Sequence, residues 1–191
     1  MSFKDTDSSD FVVGQVWGLK GPDIYLLDQF RQRMDFPTTV RAVRELSRLW
    51  PQAVVKYVEE KANGAAASQT LQQRLPCLVA INPEGGKESR AAAVAPLVEA
   101  QNVYLPPPAL APWVTDFVEE CAGFPNGAND DQVDAMSQAL TKLGPMANAF
   151  DQQKKPAPKR HEDTLGPIDF GTGKPADPIW QRFEDQMRKQ R

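Results

Sequence analysis

Short apolar runs with a β-rich composition occupy much of the first half of the chain. The runs at 11–17 and 24–30 are separated by a segment containing Gly and Pro, which predicts an antiparallel hairpin. Two further runs, at 54–58 and 77–81, flank an Ala-rich segment at about 65–75 with helical character. A strand, a helix and a strand in close succession predict a parallel crossover, and therefore an α/β sheet.

Helical spacing of apolar residues predicts further helices. In the last of them Val133, Met136, Leu140 and Leu143 recur at intervals of three or four residues, so this helix should pack one face onto the sheet. A short extended piece is expected before the triple proline. The predicted helices cover about 36–50, 90–99, 112–122 and 131–143, and the extended piece covers 102–105.

Composition indicates an ordinary soluble protein. The chain has 191 residues, of which 41% are hydrophobic and 25% charged. We expect one globular domain over residues 1–150 and a flexible tail, rich in Pro and Lys, over residues 151–191. No apolar run approaches the roughly 18 to 20 residues of a membrane span, and the N-terminus has no apolar signal core. We therefore expect a cytoplasmic protein with no membrane partner.

The scarcity of Cys and His restricts the possible chemistry. Cys77 and Cys121 are too few for a disulfide framework or a thiolate zinc site, and we expect both to be small core residues. The single histidine, His161, lies in the tail, which excludes multi-histidine metal sites and most catalytic triads. Any metal must be held mainly by carboxylates, which favours Mg²⁺ or Mn²⁺.

Charge is unevenly distributed, so the net charge of −3 does not exclude a nucleic-acid partner. The tail contains nine Lys and Arg against seven Asp and Glu, whereas residues 1–150 contain 13 against 18. Acidic clusters and basic contacts coexist in nucleases.

Two groups of carboxylates are the candidate chemistry. Asp130, Asp131 and Asp134 stand at the start of the last predicted helix, where capping explains one or two carboxylates but not easily three. Glu59 and Glu60 end the apolar run at 54–58, and strand ends are where open α/β sheets usually place their sites. We expect the strand-end Glu and the helix-start Asp to meet and to hold divalent metal.

A glycine-containing loop opens the helix that follows the fourth run. Gly85, Gly86 and Lys87 do not have the spacing of an ATP-binding phosphate loop, so a nucleotide triphosphate site is rejected. Lys87 and Arg90 either contact a DNA phosphate or lie in a plain exposed turn, and we expect the DNA contact.

Six segments of the chain carry a family resemblance: 9–18, 25–29, 58–64, 82–91, 102–106 and 124–135. In this order they resemble the C-terminal nuclease domain of the large terminase subunit of tailed bacteriophages. The resemblance covers about residues 2–143 and implies a ribonuclease H-like mixed sheet flanked by helices. It also implies a DNA endonuclease with two Mg²⁺ or Mn²⁺ ions. Such an enzyme cuts concatemeric double-stranded DNA during packaging in the host cytoplasm, alongside the terminase small subunit and the portal protein.

The resemblance implies roles for individual residues. Glu59 matches the acidic metal ligand of the second strand, and the pair Asp130 and Asp131 matches the ligand at the helix start, with Asp131 preferred. Where many relatives have His before this pair, the chain has Asn129.

The resemblance also implies a truncated N-terminus. The first catalytic Asp of the family, the apolar strand that carries it and the preceding ATPase domain have no counterpart here. We therefore expect unpaired strand edges and poor stability, as in a fragment, a split gene product or a prophage remnant. The alternative function is a non-catalytic remnant that binds DNA or the packaging complex. Another ribonuclease H-like enzyme, such as a Holliday-junction nuclease or a transposase, is disfavoured by the order of the six segments.

Overall fold

The computed structural model describes residues 11–60, 72, 73, 75 and 77–152. Most of the helix predicted at 65–75, and the tail beyond residue 152, lie outside the described residues. The elements are β1 (Val12–Lys20), β2 (Asp23–Gln32), α1 (Phe36–Leu49), β3 (Lys56–Glu59), β4 (Leu78–Ile81), α2 (Lys87–Glu99), β5 (Val103–Tyr104), α3 (Val114–Gly123) and α4 (Asp131–Gln152).

The predicted hairpin is confirmed. β1 and β2 are antiparallel with Val12 opposite Gln32, and the register shifts by one residue between Val16 and Trp17. Gly21 lies in the connecting turn with a φ of 59°, a backbone conformation that costs glycine little. β5 adds to β2 in parallel, which gives a mixed three-stranded sheet with the order β1, β2, β5.

The predicted parallel crossover is confirmed as well. β3 and β4 are parallel with Lys56 opposite Leu78, and they form a second, two-stranded sheet. One face of this sheet packs against α1, where Val40, Leu75 and Leu78 form a buried cluster. The α/β class is thus as predicted. Within the part of the chain that the structure describes, the strands lie in two sheets, and β1 and β3 each pair on one side only.

Helix α4 is longer than its sequence pattern suggests. The prediction ended at Leu143, the last residue of the apolar spacing, yet α4 continues through Pro145 to Gln152 although Pro in a helix interior removes a hydrogen bond. Tertiary packing accounts for the difference, since Ala147 is 2% exposed and belongs to the core cluster of Ile24, Val94 and Leu140. The wrong boundary shows packing prevailing over local propensity.

Close approach of α2 to α4 depends on a glycine. A methyl group on Gly144 would lie 2.9 Å from Cδ1 of Leu97. Leu97 and Leu143 both pack against the same core cluster. The missing side chain therefore allows the two helices to approach closely over the three-stranded sheet, which fixes the position of α4.

None of the helices among the described residues is both long enough and apolar enough to span a membrane.

Candidate functional site

The first turn of α4 carries two of the three clustered aspartates, and Asp130 directly precedes it. The backbone N–H of Asp134 donates to the carbonyl of Asp130 at 2.9 Å, so the helical hydrogen bonds begin at Asp130. Exposure falls along the turn, with side chains that are 39% exposed for Asp130, 17% for Asp131 and 9% for Asp134. Three carboxylates gather where the free N–H groups of the helix favour negative charge.

A carboxylate from another helix caps this turn. The backbone N–H of Gln132 donates to Oε1 of Glu120 at 2.6 Å, and Nε2 of Gln132 donates to Oε2 of the same carboxylate at 2.7 Å. Glu120 lies in α3, so capping at Gln132 is supplied from outside the aspartate cluster. The cap of this N–H group is therefore not one of the three aspartates.

The start of α2 lies beside the start of α4 and neutralises part of its charge. Nζ of Lys87 is 2.6 Å from Oδ1 of Asp130 and 3.7 Å from Oδ1 of Asp131. Nη2 of Arg90 is 2.5 Å from Oδ1 of Asp134, and Nε donates to the same oxygen at 3.0 Å. The two cations expected to contact DNA phosphate thus lie at the acidic cluster, and the phosphate contact stays a prediction.

The environment of Lys87 favours its charged form. Partial burial lowers the pKa of Lys87, but the hydrogen bond to Asp130 and the charges of Asp130, Asp131 and Asp134 together outweigh it. The pKa of Lys87 therefore lies above its ordinary value, and the ammonium group stays protonated at neutral pH.

Glu59, at the carboxyl end of β3, reaches α4 through an amide. Nε2 of Gln138 donates to Oε2 of Glu59 at 2.9 Å. Gln138 follows Asp134 by four residues and Asp131 by seven, so the three side chains share one helix face. At a rise of about 1.5 Å per residue, Asp134 and Gln138 are about 6 Å apart along the axis. The structure thus brings Glu59 to the same face of α4 as the aspartates.

The neighbouring Glu60 turns to a different partner. Nδ2 of Asn82 donates to Oε2 of Glu60 at 3.4 Å, across the ends of β3 and β4. The backbone N–H of Glu60 also donates to the carbonyl of Ile81 at 2.8 Å. Glu60 therefore extends the pairing of the two strands, and Glu59 is the residue of the pair that contacts α4.

The donor chemistry at this face fits a hard divalent cation, because carboxylate oxygens are the ligands that Mg²⁺ and Mn²⁺ prefer. The distances between these carboxylates fit a metal site less closely than their chemistry does. Among the residues that the structure describes, no three His, Cys, Asp or Glu side chains are grouped closely enough to hold a metal ion. Glu59 comes from β3 and Asp131 from α4, so two elements bring carboxylates of suitable chemistry to this helix face.

Sequence reasoning missed two residues that organise this site. Gln138 was detectable in principle, because it follows Asp131 by seven residues on a predicted helix and so had to share its face. Glu120 had no detectable signature, since its contact depends on how α3 packs beside α4. Gln138 holds the side chain of Glu59, and Glu120 holds the helical turn that carries the aspartates.

Comparison with known proteins adds one match. The family model described as the terminase RNaseH-like domain matches residues 2–143. No curated protein matches the chain.

Proposed function

Since the chain belongs to the family of terminase RNase H-like domains, we propose that it is a metal-dependent endonuclease domain that cuts concatemeric DNA during phage genome packaging. The observation that carries this proposal is the hydrogen bond from Gln138 to Glu59, because it holds a strand-end carboxylate against the acidic face of α4. Carboxylates converging from different elements are what metal-dependent phosphodiester hydrolysis needs.

Three side chains are proposed as metal ligands. Glu59 supplies the carboxylate from β3 and Asp131 supplies the carboxylate from α4. Asp130, the more exposed of the two neighbouring aspartates, assists them. Asp131 is preferred over Asp130 because Asp130 is more exposed and hydrogen-bonds Lys87 directly. Bound Mg²⁺ or Mn²⁺ supplies activation of water and charge stabilisation for the leaving oxygen. Gln138 keeps Glu59 oriented toward α4, and Glu120 keeps the first turn of α4 in place.

Lys87 and Arg90 are proposed to contact the phosphates of double-stranded DNA. Both cations lie beside the carboxylates, where the charge of an approaching backbone must be compensated. Lys87 is 35% exposed and Arg90 is 14% exposed, so Lys87 is the more accessible of the two. The family suggests the terminase small subunit and the portal as further partners, in the cytoplasm of the host cell.

A second candidate function is a packaging module that binds DNA without cutting it. The observation that favours it is the absence of a group of three potential metal ligands among the described residues. Such a module would keep the cationic pair Lys87 and Arg90 and dispense with the chemistry at Glu59.

Cleavage of supercoiled plasmid in Mn²⁺ distinguishes the two candidates. We expect the wild-type chain to nick plasmid, and Glu59→Gln and Asp131→Asn to lower the rate at least about 100-fold. The matched control is Glu45→Gln, which removes one carboxylate from an exposed ion pair with Arg48 on α1. Nicking that survives Glu59→Gln would contradict the proposal. Plasmid binding without cleavage, by protein with a native circular dichroism spectrum, would favour the second candidate.

A further inference from the structure

A chain of side-chain hydrogen bonds runs through the interior from the hairpin to the first turn of α4. Its inner members, Gln29 and Gln132, are 8% and 1% exposed. Nε2 of Gln132 donates to Glu120 at 2.7 Å, and Nε2 of Gln29 donates to Oε1 of Gln132 at 2.5 Å. Nε2 of Gln15 then donates to Oε1 of Gln29 at 2.9 Å, and Nε1 of Trp17 donates to Oε1 of Gln15 at 3.1 Å.

The two ends of this chain fix its direction. The Glu120 carboxylate, when ionised, only accepts hydrogen bonds, and the Trp17 indole only donates. Each of the three glutamine amides between them therefore has one orientation that satisfies both neighbours. A reversed amide at any position would place two N–H groups or two oxygens against each other, at a cost that burial increases.

The chain ends on the backbone that carries the acidic cluster. Besides the side-chain contact, Oε1 of Glu120 accepts the backbone N–H of Gln132 at 2.6 Å. Nε2 of Gln15 also reaches the carbonyl of Gln132 at 3.3 Å, so both backbone groups of this residue are held by the network. Gln132 lies between Asp131 and Asp134 in sequence. A shift of Gln132 therefore moves the aspartate on either side of it.

We propose that Glu120 is a positioning residue for Asp131, and that it acts through Gln132 by fixing the direction of the glutamine chain. The role in metal binding rests on the proposed function, whereas the fixing of the helix start does not. Arg31, whose Nη2 is 3.4 Å from Oε2 of Glu120, supplies a positive charge beside the carboxylate that accepts these hydrogen bonds.

The substitution Glu120→Gln tests the direction of the chain. The oxygen of the introduced amide can still accept the backbone N–H of Gln132, but its nitrogen then faces Nε2 of Gln132. Reversing the Gln132 amide only transfers the conflict to Gln29 and then to Gln15. At Trp17 the conflict cannot be removed, because the indole N–H only donates and would then face an N–H group of the reversed Gln15 amide. Gln132→Glu creates the opposite conflict, because two carboxylates then face each other.

The exchanged pair Glu120→Gln with Gln132→Glu removes both conflicts. The amide introduced at position 120 accepts the backbone N–H of position 132 and donates to the new carboxylate there, and that carboxylate accepts from Gln29 as Gln132 did. The exchange conserves net charge and the number of hydrogen bonds in the chain, but it places an amide beside Arg31 where the carboxylate stood, so it restores the wild type only in part. The decisive comparison is the exchanged pair against Glu120→Gln, because a second buried substitution that adds a carboxylate would destabilise the chain further unless it restored the hydrogen-bond direction.

Two readouts decide the proposal. The first is amide hydrogen exchange at position 132, measured by NMR without metal. We expect at least about tenfold faster exchange in each single variant, and exchange at least about threefold slower in the exchanged pair than in Glu120→Gln. The second is the Mn²⁺ dissociation constant. We expect it to rise about tenfold or more in each single variant and to fall again in the exchanged pair. Glu119→Gln, at an exposed neighbour in α3, is the matched control and should change neither.

Unchanged exchange at Gln132 in Glu120→Gln would overturn the proposal, as would exchange in the exchanged pair that is as fast as in Glu120→Gln. Unchanged Mn²⁺ affinity in the single variants of a chain that binds Mn²⁺ would overturn the positioning of Asp131. A wild-type chain that binds no Mn²⁺ overturns the proposed function instead, and the exchange data then decide the network alone.

Discussion

The side chain of Gln138 on α4 donates a hydrogen bond of 2.9 Å to Glu59 at the end of β3, across 79 positions of sequence. This contact joins the two-stranded sheet to the helix that also packs on the three-stranded sheet. Because Gln138 shares a helix face with Asp131 and Asp134, the orientation of one amide governs how a strand-end carboxylate faces two helix-borne carboxylates.

Removing this amide should weaken the site without unfolding the chain. We expect Gln138→Ala to lower Mn²⁺ affinity, and any metal-dependent nicking, by about 10 to 100-fold, because groups that orient metal ligands typically contribute that much. Calorimetric titration with Mn²⁺ measures the affinity. Gln52→Ala, at an exposed glutamine, is the control. Equal affinities for the two variants would mean that Glu59 does not depend on Gln138.

Lys87 should oppose metal binding while stabilising the metal-free fold. In Lys87→Met the carboxylates of Asp130 and Asp131 lose the ammonium group that lies 2.6 Å from one and 3.7 Å from the other. We expect the free energy of unfolding without metal to fall by about 0.5 to 1 kcal/mol, a small loss because Lys87 is 35% exposed. Added Mn²⁺ should then raise the melting temperature more in the variant than in the wild type.

The control for this experiment is Arg48→Met, which removes the same charge from an exposed pair with Glu45. Thermal unfolding with and without Mn²⁺ measures both effects. A smaller Mn²⁺-induced rise in Lys87→Met than in Arg48→Met would contradict the account.

Asp28 should make stability decline with rising pH. Burial raises the pKa of Asp28 above its ordinary value of 3.8, despite hydrogen bonds from Trp50 and the backbone of Gln29. Between 3.8 and the higher folded pKa, the folded state binds more protons than the unfolded state at this site. The contribution of Asp28 to the free energy of unfolding therefore falls as pH rises through that interval and stays low above it.

Urea unfolding of the wild type and Asp28→Asn across this pH range measures the effect. We expect the stability of the wild type relative to the variant to decrease as pH rises above 3.8. Asp35 is the contrasting control, because its hydrogen bonds to Thr38 lower its pKa. Its contribution is present above 3.8 and is lost as pH falls through the lower folded pKa. The stability of the wild type relative to Asp35→Asn should therefore stay constant above 3.8 and decrease as pH falls below it. If the stability of the wild type relative to Asp28→Asn rose with pH above 3.8, the raised pKa of Asp28 would be contradicted.

Gly14 should be intolerant of a side chain because of its partner across the hairpin. It lies opposite Phe30, and a methyl group there would overlap Cε1 of the Phe30 ring. We expect Gly14→Ala to cost about 1 to 3 kcal/mol in urea unfolding and to cost less when Phe30 is also replaced by Leu. Gly123→Ala, where the methyl group meets nothing within 4 Å, is the control. Equal costs at Gly14 in the two backgrounds would exclude this clash.

Local sequence patterns predicted the helices and strands of this chain more accurately than they predicted the contacts between them. The hairpin and the β3 to β4 crossover follow from apolar runs and turn residues, which act over short distances. The extension of α4 past Pro145 does not, since it depends on burial of Ala147 against Ile24 and Val94. At the site, strand-end and helix-start geometry predicted that Glu59 comes near α4, and the structure places it at Gln138, on the helix face of Asp131 and Asp134. The capping by Glu120 required knowledge of how α3 packs.

The central claim, that β3 and the start of α4 form one metal-binding site, is tested most directly by Mn²⁺ binding. Electron paramagnetic resonance of free Mn²⁺ counts bound ions for the wild type, Glu59→Gln, Asp131→Asn and the control Glu45→Gln. We predict saturable binding by the wild type and the control, and at least about tenfold weaker binding by either of the other two variants. Binding that is unchanged by Glu59→Gln, or that is lost only in Asp131→Asn, would contradict a shared site.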